Sequence, residues 1–172
     1  IRLGLIVATL NWRLSAKELK HCVSLVEPRV TLVSAQFRSR IEDADCGTVL
    51  EIGPALDQRA SNTQSPKYDA DADNPEQGLF IIYTSGTTGL PKGALLSRRA
   101  MLARLMIYVT DYGVDGNDTF LAWSPLFHMA SVELGLGTLL LGGKVVVMDG
   151  PDMPTICDYL ESDSLSNLIF FP

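Results

Sequence analysis

The segment Leu79–Gly93, LFIIYTSGTTGLPKG, constrains the fold more than any other stretch of the chain. Leu79 to Tyr83 is a short continuous apolar run, which predicts a buried strand. The run breaks into Thr84, Ser85, Gly86, Thr87, Thr88 and Gly89, four hydroxyls and two glycines in six residues. Glycine permits a tight path with positive φ and leaves backbone N–H groups uncovered. Pro91 then restricts the backbone leading into Lys92 and Gly93. Exposed N–H groups, hydroxyl donors and one ammonium suit a cluster of phosphate oxygens. The spacing is not that of a Walker A loop, because no G-K-[ST] closes it. Ala94 to Leu96 is a further short apolar run that comes before any helix. Taken alone, G-T-T-G is also compatible with an ordinary hairpin turn.

Charge and cysteine content narrow the partners. The net charge is −6, with acidic residues concentrated in 42–73 and 149–163. That balance argues against a general nucleic-acid or anionic-membrane surface, so an anion site must be local. Cys22, Cys46 and Cys157 are odd in number and far apart, and with His21 and His128 they make no zinc pattern. Reduced thiols and a cytoplasmic setting are the expectation. Residues 1–10 are apolar but too short to span a bilayer. They lack the basic leader and cleavage site of a signal peptide. A mean hydropathy of +0.17 is high for a chain of this size and leaves room for a covered face, including a homo-oligomer.

The rest of the chain alternates strand and helix patterns. Residues 1–10 predict a strand. Ser15 and Glu18 form a capping-box pair. The helix they open runs to about Glu27, with Leu19, Cys22, Val23 and Val26 on one face, and Pro28 stops it. Strands are expected at Val30–Val33 and Thr48–Ile52; Phe37–Ala44 has no clear assignment. Residues 53–77 are polar and predict an exposed loop. Asp69, Asp71 and Asp73 do not make a calcium loop there, since Asn74 and Phe80 stand where glycine and glutamate are needed. Ser97 caps a helix to about Tyr112, with Met101, Leu102, Leu105 and Val109 inward and Arg98 and Arg99 solvated. Thr119–Trp123 predicts a strand, Ser131–Leu141 a helix ended by Gly142-Gly143, Lys144–Met148 a strand, Pro154–Glu161 a helix and Leu168–Phe171 a strand. This order predicts an α/β fold of βαβ units, with a largely parallel sheet flanked by helices.

Ser124-Pro125-Leu126-Phe127-His128 follows a strand, where open α/β sheets offer ligand sites. Phe127 can wall an apolar pocket, and His128 can orient a carboxylate or serve as an ordinary loop histidine.

YTSGTTGLPKG resembles, over its full length, the phosphate-binding motif of adenylate-forming enzymes: acyl-CoA synthetases, luciferases and peptide-synthetase adenylation domains. The P-L-F-H of 125–128 resembles the family's second motif, which shapes the acyl pocket. Leu10-Asn11-Trp12-Arg13-Leu14-Ser15 is similar to a strand exit common in its acyl-CoA synthetases. The resemblance implies that Ser85, Gly86, Thr87, Thr88, Gly89 and Lys92 hold the β- and γ-phosphates of ATP. It implies that Thr84 helps bind Mg²⁺, and that Phe127 and His128 border the acyl site. Lys92 and His128 are the implied catalytic residues. The implied reaction activates a carboxylic acid to an acyl-adenylate and transfers the acyl group to coenzyme A. No aspartate stands at 127–129 to pair with an amino group, so a fatty or aryl acid is expected rather than an amino acid. Met129-Ala130-Ser131 departs from the glycine-rich continuation common in the family. The whole of 1–172 resembles part of the large N-terminal domain; the adenine-side segments and the small C-terminal domain with its lysine are not matched. An incomplete, inactive fragment is therefore expected. Two other readings stay open: a different nucleotide-binding enzyme such as a kinase, or a non-catalytic ATP-binding remnant or interaction module.

Overall fold

The computed structural model describes residues 4–64, 74–85, 89–162 and 165–168. Two compact units divide the chain, Ile1–Leu95 and Leu96–Pro172.

In the first unit, strand β1 (Val7–Ala8) pairs in parallel with the central strand β4 (Gly78–Thr84), Val7 opposite Phe80 and Ala8 opposite Ile81. Strand β5 (Lys92–Ser97) lies on the other side of β4. A Cβ at Gly93 would meet Ile81, and one at Gly78 would meet Leu95 at 2.7 Å, so β4 and β5 run in opposite directions as a tight hairpin. Among the described residues 4–10, the expected strand is corrected to Val7–Ala8. Leu5, Ile6 and Val7 remain exposed, and Gly4, at φ 64°, is tied by its carbonyl to the Gln77 side chain at 3.0 Å rather than to the sheet.

Helix α1 (Ala16–Val26) starts on the predicted capping box. Glu18 N–H donates to Ser15 Oγ, and Ser15 N–H donates to Glu18 Oε2 at 2.8 Å. Leu19, Cys22 and Val23, spaced by three and four, are its buried face. The helix ends at Glu27, whose left-handed backbone precedes Pro28. Strands β2 (Val30–Ser34) and β3 (Thr48–Ile52) pair in parallel, Val30 opposite Thr48. A 3₁₀ helix, Ala35–Ile41, occupies the segment without an assignment. Val23, Val33, Ile41 and Cys46 form the core here, with Leu10, Phe37, Ala44 and Val49 packed around it.

The expected loop 53–77 is also corrected. Helix α2 (Pro54–Ser61) forms there, with proline at its first turn and no buried residue. It has no apolar stripe to announce it, which is why periodicity misses it. The Asp69–Asp73 segment lies outside the described residues.

In the second unit, helix α3 (Arg98–Tyr112) is capped by Ser97 Oγ and ends at Gly113, φ 68°. Strand β6 (Thr119–Ala122) leads through helix α4 (Met129–Leu141) to strand β7 (Lys144–Val147), which pairs with β6 in parallel. Phe120 also bridges in parallel to Asn167. Phe120, Ala122 and Leu134 form the core, with Tyr108 and Val145 packed on it. Helix α5 (Met153–Glu161) buries Ile156 completely. Two expectations for α3 are corrected: Leu102 is exposed, and Arg98 is buried at 9% exposure. The strand expected at Leu168–Phe171 lies, beyond Leu168, outside the described residues.

The described strand pairs are parallel apart from the β4–β5 hairpin, and helices flank them, so the α/β expectation holds. Among the described residues, no helix is long and apolar enough to cross a membrane.

Candidate nucleotide loop and acid-pocket motif

The phosphate-loop candidate is the turn of the β4–β5 hairpin. Apolar side chains hold its incoming strand, with Leu79 and Ile82 buried. Thr84 ends the strand and is exposed, as is Ser85. Gly86, Thr87 and Thr88 lie outside the described residues. Gly89 is exposed at φ +90°, a conformation that costs a side-chain-bearing residue strain. Pro91 is buried, and Lys92 is the exposed first residue of β5. Thr84, Ser85, Gly89 and Lys92 thus sit at one end of one hairpin.

Both stems of this turn are tied to α1. Tyr83, directly before Thr84, donates its hydroxyl to the Cys22 carbonyl at 2.8 Å. Pro91, directly before Lys92, accepts at its carbonyl from His21 Nε2 at 3.0 Å. A carbonyl only accepts, so the His21 proton must reside on Nε2. Burial, and then the nearby Cys22, push the Tyr83 phenol up to about 12, so it stays protonated as a donor. Burial, and then Glu18, push the Cys22 thiol up to about 11, which leaves it an inert neutral thiol at pH 7. Sequence reasoning missed His21 and the Tyr83 hydroxyl. Their partners lie 70 and 61 residues away, and no local pattern reports such contacts.

The second motif is the β6–α4 turn. His128 N–H donates to the Pro125 carbonyl at 3.0 Å, which closes a turn over 125–128. Ser131, in the first turn of α4, donates to the Ser124 carbonyl at 2.7 Å in a buried position. Phe127 is buried, and its ring centroid lies 4.7 Å from that of His128. His128 is the exposed N-cap residue of α4, and its side chain caps no backbone N–H. The imidazole therefore stands at a helix start with its ring against Phe127.

Behind this turn, Glu133 is a carboxylate in an otherwise apolar helix, 5% exposed. Arg104 Nη2 donates to its Oε2 at 2.8 Å, Tyr108 OH donates to the same oxygen at 3.0 Å, and Arg104 Nε pairs with Oε1. A lone acid in an apolar run is itself the signal, since a buried charge needs partners. Among the described residues, no group of three His, Cys, Asp or Glu is placed to hold a metal ion.

The sequence model of the family described as "AMP-binding enzyme" matches residues 1–166. The chain belongs to that family. Among curated relatives of this AMP-binding chain is the indoleacetate–CoA ligase of Aromatoleum aromaticum, 30% identical, with 99% of this chain and 36% of that protein covered. Among solved structures, ATP-bound MatB from Rhodopseudomonas palustris superposes with a TM-score of 0.80 at 24% identity, over 93% of this chain and 33% of that one. The N-terminal domain of FACL13 from Mycobacterium tuberculosis, solved with an inhibitor, gives 0.80 at 24% identity, over 95% and 43%. The last two establish the fold. The chain spans about a third of the length of the curated relatives it matches.

Proposed function

We propose that the protein carrying this chain is an ATP-dependent acid–thiol ligase of the acyl-CoA synthetase type. The observation that carries the reading is the β4–β5 hairpin. It presents Thr84, Ser85 and Lys92 at the exposed end of a glycine-containing turn whose stems are buried or hydrogen-bonded. In the first step a carboxylate oxygen attacks the α-phosphorus of ATP, and pyrophosphate leaves. In the second the coenzyme A thiol attacks the acyl carbonyl, and AMP leaves. Ser85, Gly86, Thr87, Thr88, Gly89 and Lys92 would bind the β- and γ-phosphates. The Lys92 ammonium is the one cation of the motif and would oppose the charge that grows on the departing pyrophosphate.

Thr84 is the residue that would hold Mg²⁺. A hydroxyl oxygen is a hard donor, and this ion is commonly held by few protein oxygens together with phosphate and water. When bound, the ion supplies charge neutralisation at the phosphates. Phe127 would form an apolar wall of the acid site, and His128 would orient the carboxylate. The substrate class is a fatty or aryl carboxylic acid. Support comes from the indoleacetate–CoA ligase relative and from the absence of an aspartate at 127–129. The free thiols of Cys22, Cys46 and Cys157 support a cytoplasmic setting.

Replacing Lys92 by alanine should slow acid-dependent exchange of pyrophosphate into ATP by roughly 10²–10³-fold, the scale of one lost charge-stabilising donor. An unchanged exchange rate in Lys92→Ala would remove the phosphate-binding role.

A further inference from the structure

We propose that His21 is a positioning residue for the nucleotide loop. It acts through the peptide that joins Pro91 to Lys92. The inference rests on the phosphate-loop reading above and adds a part to it.

The argument begins with what the turn lacks. Glycines and short hydroxyl side chains, the residue types of 85–89, offer donors but little side chain to pack. Pro91 has no N–H to give to a sheet ladder, so its own amide cannot fasten the returning strand. Its carbonyl is instead fastened from outside, by His21 Nε2 at 3.0 Å. That carbonyl belongs to the same rigid peptide plane as the Lys92 nitrogen. Holding it fixes the direction in which the Lys92 backbone, and then its side chain, sets out. On the adjacent residue of α1, the Cys22 carbonyl accepts from Tyr83 OH at 2.8 Å. One turn of one helix therefore fastens the residue before the loop and the residue before its lysine.

The position of that turn is itself well determined. Cys22 and Val23 are buried in the first unit, and the capping box fixes where the helix begins. His21 thereby links a rigid element to a turn that must meet phosphate oxygens with little reorganisation. Its chemistry is that of an N–H donor only. A side chain that keeps a donor at the same reach should keep the function, and one that removes the donor should lose it.

The test compares pyrophosphate exchange by the full-length protein in wild type, His21→Ala, His21→Gln, Tyr83→Phe and Lys92→Ala, with a thermal melt of each. His21→Ala should lower kcat/KM for ATP roughly three- to tenfold, the effect of one lost neutral hydrogen bond. Its KM for the acid and its melting temperature should stay at the wild-type values. His21→Gln should recover most of the loss through its side-chain amide. Tyr83→Phe, which removes a single oxygen at the other stem, should lower the same ratio. Wild-type kcat/KM for ATP in His21→Ala overturns the proposal, whatever Tyr83→Phe does. So does a loss in His21→Ala that glutamine does not recover, or one accompanied by an equal fall in use of the acid. The Lys92→Ala variant separates the two levels. Impaired Lys92→Ala beside intact His21→Ala rejects the positioning role alone. Unimpaired Lys92→Ala rejects the phosphate loop and the positioning role with it.

Discussion

Tyr83 joins two roles in one side chain. Its backbone belongs to the central strand, and its hydroxyl ties the start of the loop to α1. Burial raises its folded pKa from 10.0 to about 12. The unfolded phenol therefore ionises first as pH climbs, and the folded state then binds the extra proton. Stability from this group is complete below pH 10 and is lost as pH rises through about 12. Urea melts across that window should show a steeper loss in the wild type than in Tyr83→Phe; identical slopes would contradict the part-buried, protonated phenol. Glu18 works in the opposite direction. The Ser15 hydroxyl, and then the Ser15 backbone N–H, hold its carboxyl below the ordinary 4.5. The cap's contribution is thus present above pH 4.5 and fades as pH falls below it. Helicity of α1, followed by amide exchange in 16–26, should weaken on acidification in the wild type and not in Glu18→Gln.

At the scale of elements, helix ends were legible because their signals are local. Ser15 with Glu18 opens α1, Ser97 opens α3, and Gly142 closes α4 in a left-handed conformation. The β4 strand was legible for the same reason, an apolar run ending in a hydroxyl- and glycine-rich turn, whereas β5 showed only as the short apolar run Ala94–Leu96 with no assignment. What a sequence pattern does not carry is which long-range contact a side chain finds. Helix α2 has no buried face, so nothing in its spacing marks it. Arg98 was expected in solvent on helix-dipole grounds, yet tertiary packing buries it. His21 reads as a surface position of α1 until the Pro91 carbonyl is seen beside it.

The α3–α4 pair shows how such contacts divide unequally. Glu133 is 3% exposed at its side chain, while Arg104 is 52% exposed. Arg104→Met strands a buried carboxylate with Tyr108 as its remaining named donor, and should cost about 3 kcal/mol. Glu133→Leu releases a guanidinium that can return to water and should cost much less. Equal losses in denaturant titrations of the two variants would show that the carboxylate is not the strained partner. Because α4 starts at His128, the more damaging variant should also disturb the Phe127–His128 turn, visible as a shifted His128 ring resonance.

At the scale of the whole molecule, membership in the AMP-binding family rests on a match over 1–166, and the α/β fold on superposition with solved relatives. Among the described motif residues, Thr84 ends β4, Lys92 starts β5, and Phe127 and His128 stand in the β6–α4 turn. The chemical roles proposed for them stand or fall on activity. The whole reaction belongs to proteins about three times as long as this chain, so it is tested on the full-length protein. The most direct measurement is exchange of labelled pyrophosphate into ATP, run with and without indoleacetate, benzoate and a medium-chain fatty acid. The account predicts exchange with at least one acid and none without, and consumption of the acid once coenzyme A is added. Exchange that proceeds without any acid, or transfer of the γ-phosphate with release of ADP, would contradict it.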